Sequence, residues 1–272
     1  MSGDFDGVRF LITGAASGFG LACAAELIRQ GAKVAIGDVN AAALRQAETV
    51  LNTSRAMSIE MDVSSAGSVR KAVERCVAEF DGLDGLVNSA GIIQVTPLAE
   101  VSEEEWDRIL AVNLKGAFLC SQAAAPLLCK SARGRIVNIS SDAAKIGFPL
   151  ICHYAAAKAG LAGLGRALAA ELALHGVTVN TVCPVGAPDT GMGQQLLRWK
   201  TQNSRQTEQQ VRTAAARGNP IGRNCVVADV VNAVLFFLSS ASSFLTGQSL
   251  DVDGGLVNVH GLPGVTRPEK AG

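Results

Sequence analysis

A doubly wound α/β fold, with a mainly parallel seven-stranded sheet flanked by helices on both faces, is predicted from three observations. Short β-rich apolar runs alternate with longer stretches of helical period along almost the whole chain. Glycines fall at the strand-to-helix junctions, where tight turns need them. The 272 residues, 48% of them hydrophobic, are enough to bury one large core.

In chain order, 8 to 12 (Val-Arg-Phe-Leu-Ile) reads as a strand, followed by a Gly-rich turn and a helix over 18 to 30. Strands at 33 to 37 and 55 to 61 each lead into a helix, at 41 to 52 and 65 to 80. A fourth strand at 83 to 87 precedes a single long helix over 102 to 130; a fifth at 134 to 139 precedes a helix at 154 to 175. Strands at 177 to 183 and 248 to 252, with a helix at 227 to 240, complete the set. Such alternation implies right-handed crossovers and a sheet covered on both sides. One interval, 184 to 226, breaks it. Its Gly- and Gln-rich composition around Leu196, Leu197 and Trp199 reads as loop plus short amphipathic helices, placed as a lid. The expected organisation is one domain over 1 to 258, carrying that insertion, and a polar C-terminal tail over 259 to 272 that is mobile or laid on a neighbouring subunit.

Lys plus Arg and Asp plus Glu both number 24, so no net field draws the chain toward nucleic acid or an anionic membrane, and a small-molecule partner is expected. The opening Met-Ser-Gly-Asp-Phe-Asp-Gly lacks a basic and an apolar leader region, which leads to the expectation of a cytoplasmic protein. Seven cysteines (23, 76, 120, 129, 152, 183 and 225) without a Cys-x-x-Cys read as small core residues. Histidines at 153, 175 and 260 do not share a helix face at i, i+4, and no metal site is expected. His153 is assigned a packing or interface role, because side chains adjacent on a helix, here His153 and Tyr154, diverge by about 100 degrees and do not share a target.

After the first strand comes Thr13-Gly14-Ala15-Ala16-Ser17-Gly18-Phe19-Gly20. Small residues there let backbone approach a pyrophosphate, and the opening helix offers N–H groups and its positive dipole end. Asp38 ends the second strand, 18 residues after Gly20. A carboxylate at that place accepts hydrogen bonds from ribose hydroxyls and repels a 2′-phosphate, favouring NAD(H) over NADP(H). Its competing role is to cap the next helix, a task open also to Asn40. Asp62-Val63 and Asn88-Ser89-Ala90-Gly91 end the third and fourth strands, on the edge where ligands bind in such sheets.

Together with Asn113, Ser141 and Tyr154-x-x-x-Lys158, the order and spacing of these motifs resemble the short-chain dehydrogenase/reductase family over about residues 6 to 258. The resemblance implies a Rossmann-type fold and an oxidoreductase moving hydride between a nicotinamide and a secondary alcohol or ketone. It implies that Gly14, Ser17, Gly18, Phe19 and Gly20 hold the pyrophosphate side of the cofactor and that Asp62 holds the adenine amino group. Val63 would flank the adenine ring, and Asn88, Ala90 and Gly91 would pack along the adenosine side. Asn113 would kink its helix, bind water and extend a proton relay from Lys158, which also holds the nicotinamide ribose; an Asn in mid-helix otherwise faces solvent. A homotetramer or homodimer is implied as well.

The chemistry follows from the residues too. Tyr154 and Lys158 lie one turn apart on a helix face, where an ammonium is expected to bring the phenol, with its free pKa of about 10, toward the working range as acid and base. Ser141, with Ser140 as a substitute, follows the fifth strand and is placed to orient the substrate oxygen. The family's Pro-Gly and following Thr correspond to Cys183-Pro184-Val185-Gly186-Ala187-Pro188-Asp189-Thr190, with Gly displaced by one; Pro184 and Thr190 are assigned to the nicotinamide side. Phe244 to Gln248 and Val252 to Gly255 resemble the family's closing segment. Gln94, Ala143, Lys145, Phe148 and parts of 186 to 212 are expected as pocket walls. Arg198, Lys200, Arg205, Arg212 and Arg217, countered by Glu208, make the lid basic; this reads as a solvated surface or as recognition of an anionic, carrier-linked substrate. Two alternatives therefore stand beside the alcohol/ketone enzyme: a 3-oxoacyl thioester reductase and a non-catalytic nucleotide-binding sensor.

Overall fold

A computed structural model describes residues 4–259; His260 and the tail beyond it lie outside the described residues. Strands β1 (Arg9–Thr13), β2 (Lys33–Asp38), β3 (Ala56–Glu60), β4 (Gly85–Asn88), β5 (Arg135–Ile139), β6 (Thr178–Pro184) and β7 (Ser249–Val252) form one sheet in the order β3-β2-β1-β4-β5-β6-β7. Every pairing is parallel. Side chains alternate across it. Phe10 and Ile12 enter the core on one face, with Val34 and Ile36, while Leu11 and Ala35 enter the core on the other. This two-sided burial explains why the strands read as continuous apolar runs.

Helices α1 (Gly18–Arg29) and α9 (Val227–Leu238) supply the first layer, and α3 (Ala66–Phe80), α5 (Gly116–Leu128) and α6 (Cys152–Leu172) the second. Between α1 and α3, α2 (Ala41–Leu51) starts at Asn40, whose side chain accepts the Ala43 N–H at 3.0 Å. Asn40 is thus the cap, and Asp38 is left to other work. No helix among the described residues is long and apolar enough to cross a membrane.

The long helix expected over 102 to 130 is interrupted. It is built from α4 (Glu103–Leu110), a π-helical turn (Ala111–Lys115) and α5. Asn113 sits in that turn, buried, and its amide donates to the carbonyls of Ile92 and Ile109, both at 2.9 Å. The competing expectation of a solvent-facing Asn fails because its side chain replaces regular helix bonding and pins the helix to the loop after β4. The 184 to 226 interval contains α7 (Gly191–Asn203), capped by Thr190, and α8 (Glu208–Gly218), opened by a Thr207/Gln210 capping box.

Sheet order reverses between β1 and β4, so successive crossovers leave from this line toward opposite edges. At such a switch point the carboxyl ends of the strands frame a crevice. The turns after β1, β4, β5 and β6 all open onto that end of the sheet.

Candidate active site

The glycine-rich turn is shaped by contacts that leave no room for side chains. Gly14 has φ +63°, and a Cβ there would lie 2.6 Å from Ala90 Cα; one on Gly20 would lie 2.6 Å from the Gly14 carbonyl oxygen. Gly18 also takes a left-handed φ of +57°. Thr13, which opens the motif, locks this turn to the loop after β4: its Oγ1 accepts the N–H groups of Ser89 and Ala90, each at 3.1 Å. Ser17 precedes α1 without a side-chain cap bond, and the first turn of α1 carries no acidic residue. Bare backbone, early helix N–H groups and the dipole make a cradle that fits a pyrophosphate.

Asp38 projects toward this turn. Its Oδ2 accepts Ala16 N–H at 3.2 Å and its Oδ1 accepts Asn40 N–H at 3.0 Å, which fixes the carboxylate and leaves further lone pairs on both oxygens. Phe19 packs against the core beneath α1. Val63 is buried against Gly116, where an added Cβ would meet Val63 Cγ2 at 2.7 Å. Asp62 is exposed, with Oδ1 held by the Ser64 hydroxyl and N–H. Asn88 lies deeper: its amide donates to Asn138 Oδ1 at 2.8 Å and Ser121 Oγ at 3.2 Å.

Across the crevice, β5 delivers Ser140 and Ser141. Their roles divide. Ser140 Oγ donates to the Lys158 carbonyl at 2.9 Å and so fastens α6 to the sheet, while Ser141 Oγ donates to Asp142 Oδ1 at 2.8 Å beside Tyr154. Lys158 Nζ donates to the Ile139 carbonyl at 3.0 Å and stands 5.6 Å from the Tyr154 ring centre. Gly91 is small because Asn113 Oδ1 and Lys158 Nζ approach it: an added Cβ would meet them at 2.9 and 3.4 Å. Asn113 Oδ1 is buried and has no hydrogen-bond partner among the described residues. The structure therefore gathers Asn113, Ser141, Tyr154 and Lys158 around one place.

The expected electrostatics need correction. Burial pushes Tyr154 up to about 12; a hydrogen bond with Ser141 opposes this, and the Asp142 carboxyl adds to it. Burial likewise pushes Lys158 down to about 8. Sequence spacing supplies proximity, but both charged forms are desolvated, and the ammonium is spent on Ile139 O and the ring face rather than on the phenol oxygen. The phenol is held neutral at pH 7, poised to donate.

The lid reaches the same place. From α7, Met192 Sδ lies 3.8 Å from Tyr154 Oη, and Met192 and Leu196 pack against a cluster of Ile93, Ala143, Ile151 and Tyr154. Pro184 ends β6, and Thr190 Oγ1 donates to Ala187 O and accepts Gly193 N–H, both at 3.0 Å. Despite the displaced glycine, Thr190 stands beside the glycine-rich turn, since a Cβ on Gly18 would lie 3.9 Å from its own Cβ. Of the expected walls, Ala143 belongs to the apolar cluster, and Phe148 is partly exposed. Gln94 and Lys145 are engaged elsewhere, by Glu105 and by Asp251. On the lid, Arg212 is paired with Glu208 and Asp189.

His153 is wholly buried, accepts the Tyr154 N–H at Nδ1 and meets Glu105 Oε1 through Nε2 at 2.8 Å. This matches the packing role. Five of the seven cysteines are buried, and burial pushes the thiols of Cys23, Cys76 and Cys120 up to about 12, which suits inert core residues. Among the described residues no group of three His, Cys, Asp or Glu is placed to hold a metal ion.

Comparison with known proteins gives the same frame. A family model described as enoyl-(acyl-carrier-protein) reductase matches residues 14–257. The chain is 37% identical over 250 residues to 2-(S)-hydroxypropyl-CoM dehydrogenase 3 of Xanthobacter autotrophicus, covering 91% of this chain and 96% of that protein. It is 35% identical over 257 residues to a 3-oxoacyl-[acyl-carrier-protein] reductase of Thermotoga maritima, covering 93% and 98%. Among solved structures, the 3-ketoacyl-(acyl-carrier-protein) reductase of Brucella melitensis complexed with NADH superposes with a TM-score of 0.83 at 30% identity, over 93% of this chain and 99% of that one.

Proposed function

The chain belongs to the short-chain dehydrogenase/reductase family, and from that premise we propose that it is an NAD(H)-dependent oxidoreductase of secondary alcohols and ketones with Tyr154 as acid and base. The observation that carries this reading is the convergence of Tyr154, Ser141, Lys158 and Asn113 beside a glycine cradle on one end of the sheet.

A bound nicotinamide supplies or accepts the hydride. The residues of the chain do the rest. Gly14, Ser17, Gly18, Phe19 and Gly20 would hold the pyrophosphate side, and Asp62, Val63, Asn88, Ala90 and Gly91 the adenosine side. Pro184 and Thr190 would border the nicotinamide, with Lys158 at its ribose. In reduction the neutral Tyr154 phenol gives its proton to the carbonyl oxygen while Ser141 orients that oxygen. In oxidation the same oxygen of Tyr154 takes the proton of the alcohol. Lys158 and the Asn113 carbonyl oxygen then stand where a proton can be passed inward. Met192 and Leu196 cover the phenol and keep water from it.

Asp38 supports NAD(H) over NADP(H): its fixed carboxylate accepts ribose hydroxyls and opposes a 2′-phosphate. A thioester substrate is the second reading, supported by the names of the Thermotoga and Brucella relatives. For assembly, a homodimer or homotetramer is supported by the partly exposed apolar surface on α4 to α6 around Leu114 and Phe118, and sedimentation measures it. The test of function is nicotinamide absorbance with NADH and NADPH over a panel of ketones, polyols, steroids and 3-oxoacyl thioesters. Turnover of a ketone with NADH preferred by about ten-fold or more (roughly 1.4 kcal/mol) supports the reading. Preference for a thioester over its free ketone selects the second. Binding of NADH with no turnover of any compound leaves a nucleotide sensor and overturns both.

A further inference from the structure

One buried ionisable group at this site has no part in the mechanism above. Asp142 follows Ser141, and its side chain is almost wholly enclosed. Its Oδ1 accepts both the Ser141 hydroxyl, at 2.8 Å, and the Ala143 N–H, at 2.9 Å. The Ala143 N–H is also shared with Ser141 Oγ at 3.2 Å, so the three groups form one closed cluster on a short 3-10 turn. Around it stand Tyr154 from α6 and Asp253 from the turn after β7. The neighbouring cations are engaged elsewhere, Lys145 with Asp251 and Lys158 with the Ile139 carbonyl. Among the described residues Asp142 forms no ion pair, and an enclosed carboxylate without a cation is costly.

We propose that Asp142 is a positioning residue for this reaction, setting through its hydrogen bond which way the Ser141 hydroxyl points its proton. The inference rests on the oxidoreductase reading above. A hydroxyl has one proton to give. With Asp142 as carboxylate, Ser141 donates to it and turns only lone pairs toward the reacting oxygen. With Asp142 as carboxylic acid, Asp142 donates to Ser141, and the Ser141 proton is released toward the carbonyl oxygen where negative charge develops in reduction. A carboxylic acid kept neutral by an enclosed site can serve as such a donor. Burial raises the Asp142 pKa, Asp253 adds to the rise, and the bonds from Ser141 and Ala143 oppose it. Reduction is therefore supported below the ionisation of Asp142 and loses that support as pH rises through it.

The variants Asp142→Asn and Asp142→Ala test this. The Asn amide can donate to Ser141 at every pH, while Ala leaves Ser141 undirected. The first readout needs no substrate: infrared difference spectra across pH on the whole protein, following the carbonyl stretch of a protonated carboxyl. A band that persists above the pH where ordinary carboxylates ionise, and is lost in both variants, is expected. The second readout is the pH profile of kcat for NADH-linked reduction of the best ketone of the panel. Wild type is expected to fall by about ten-fold as that band disappears, whereas Asp142→Asn stays within about two-fold over the same range. Asp142→Ala is expected to lie about ten-fold or more below wild type at the low-pH end, with KM within about two-fold and NADH binding kept. Wild-type profiles in both variants, or an equal loss at all pH values in both, would overturn the role. If the Asp142-dependent band is present but no compound turns over, the oxidoreductase reading fails and takes this role with it; the substrate-free band tells the two failures apart.

Discussion

The two ends of the one parallel sheet are built on opposite terms. At the amino ends of β1, β4 and β5, Arg9 grips Asp84 with two side-chain bonds, Nε to Oδ2 at 2.7 Å and Nη2 to Oδ1 at 2.8 Å. Ser131 adds a bond at 2.7 Å, and the backbone of Asp84 ties β1 to β5. Burial alone would raise the Asp84 pKa, but Arg9 and Ser131 hold the carboxyl below its ordinary value. At the carboxyl ends, Tyr154 is driven to about 12, Lys158 to about 8, and the side-chain oxygens of Asn88 and Asn113 have no hydrogen-bond partner among the described residues. The first end is not wholly answered, since Arg135 Nε and Thr178 Oγ1 are buried there without partners among the described residues, but its closest charge pair binds strands together, whereas the reacting groups gather at the second. The difference teaches that the tightest charge pairing between strands and the groups suited to the chemistry occupy separate edges of the same sheet.

Four perturbations would break or sharpen this contrast. Lys158→Met, on the functional edge, is expected to lower kcat about 10²- to 10⁴-fold in steady-state assays, with thermal stability unchanged or raised, because a desolvated ammonium is removed. The state of the phenol can be read directly, since Tyr154 is the single tyrosine of the chain. Ultraviolet titration of tyrosinate should show no ionisation near pH 10, where free tyrosine ionises, and a rise only toward about 12. Ionisation at or below the free value would show that Lys158 governs the phenol after all. Gly14→Val forces a side chain into Ala90 at a left-handed backbone position; loss of NADH binding by fluorescence and about 1–3 kcal/mol less stability by denaturation are expected. Smallest for function is Asp84→Asn, with kcat within about two-fold and stability lower by about 1–3 kcal/mol. Because the Asp84 pKa is depressed on folding, its contribution is full above the ordinary carboxylate range and is lost as pH falls through the folded pKa, so the gap between wild type and variant should close in acid.

Much of the contrast was legible in the sequence, but unevenly. Strands such as 8 to 12 and 134 to 139 announce themselves by apolar runs bounded by glycine, and Tyr154, Lys158, Ser141 and Asn113 by their spacing. Asn40 was visible as a competing cap and takes that role. What spacing cannot carry is solvation. A separation of four positions gives Tyr154 and Lys158 a shared helix face, but the direction of both pKa shifts depends on burial by segments distant in sequence, including Met192 of the lid. A kink at Asn113 was expected from the family resemblance alone; its form as a π-helical turn over Ala111–Lys115 could not be read locally, because Asn113 is answered by Ile92, a loop residue from another element. The partners of Gln94 and Lys145, Glu105 and Asp251, lie on other elements and could not be read from the sequence. The bonds of Thr13 to the loop after β4, and Asp142 altogether, escape the sequence for the same reason, since their importance lies in what they touch.

The most direct test is Tyr154→Phe, with NADH binding by fluorescence and ketone reduction measured on the same folded preparation. NADH binding close to wild type with reduction lower by about 10²- to 10⁴-fold is expected, since only the proton-donating oxygen is gone. Reduction within about two-fold of wild type would contradict Tyr154 as the acid and base of this site.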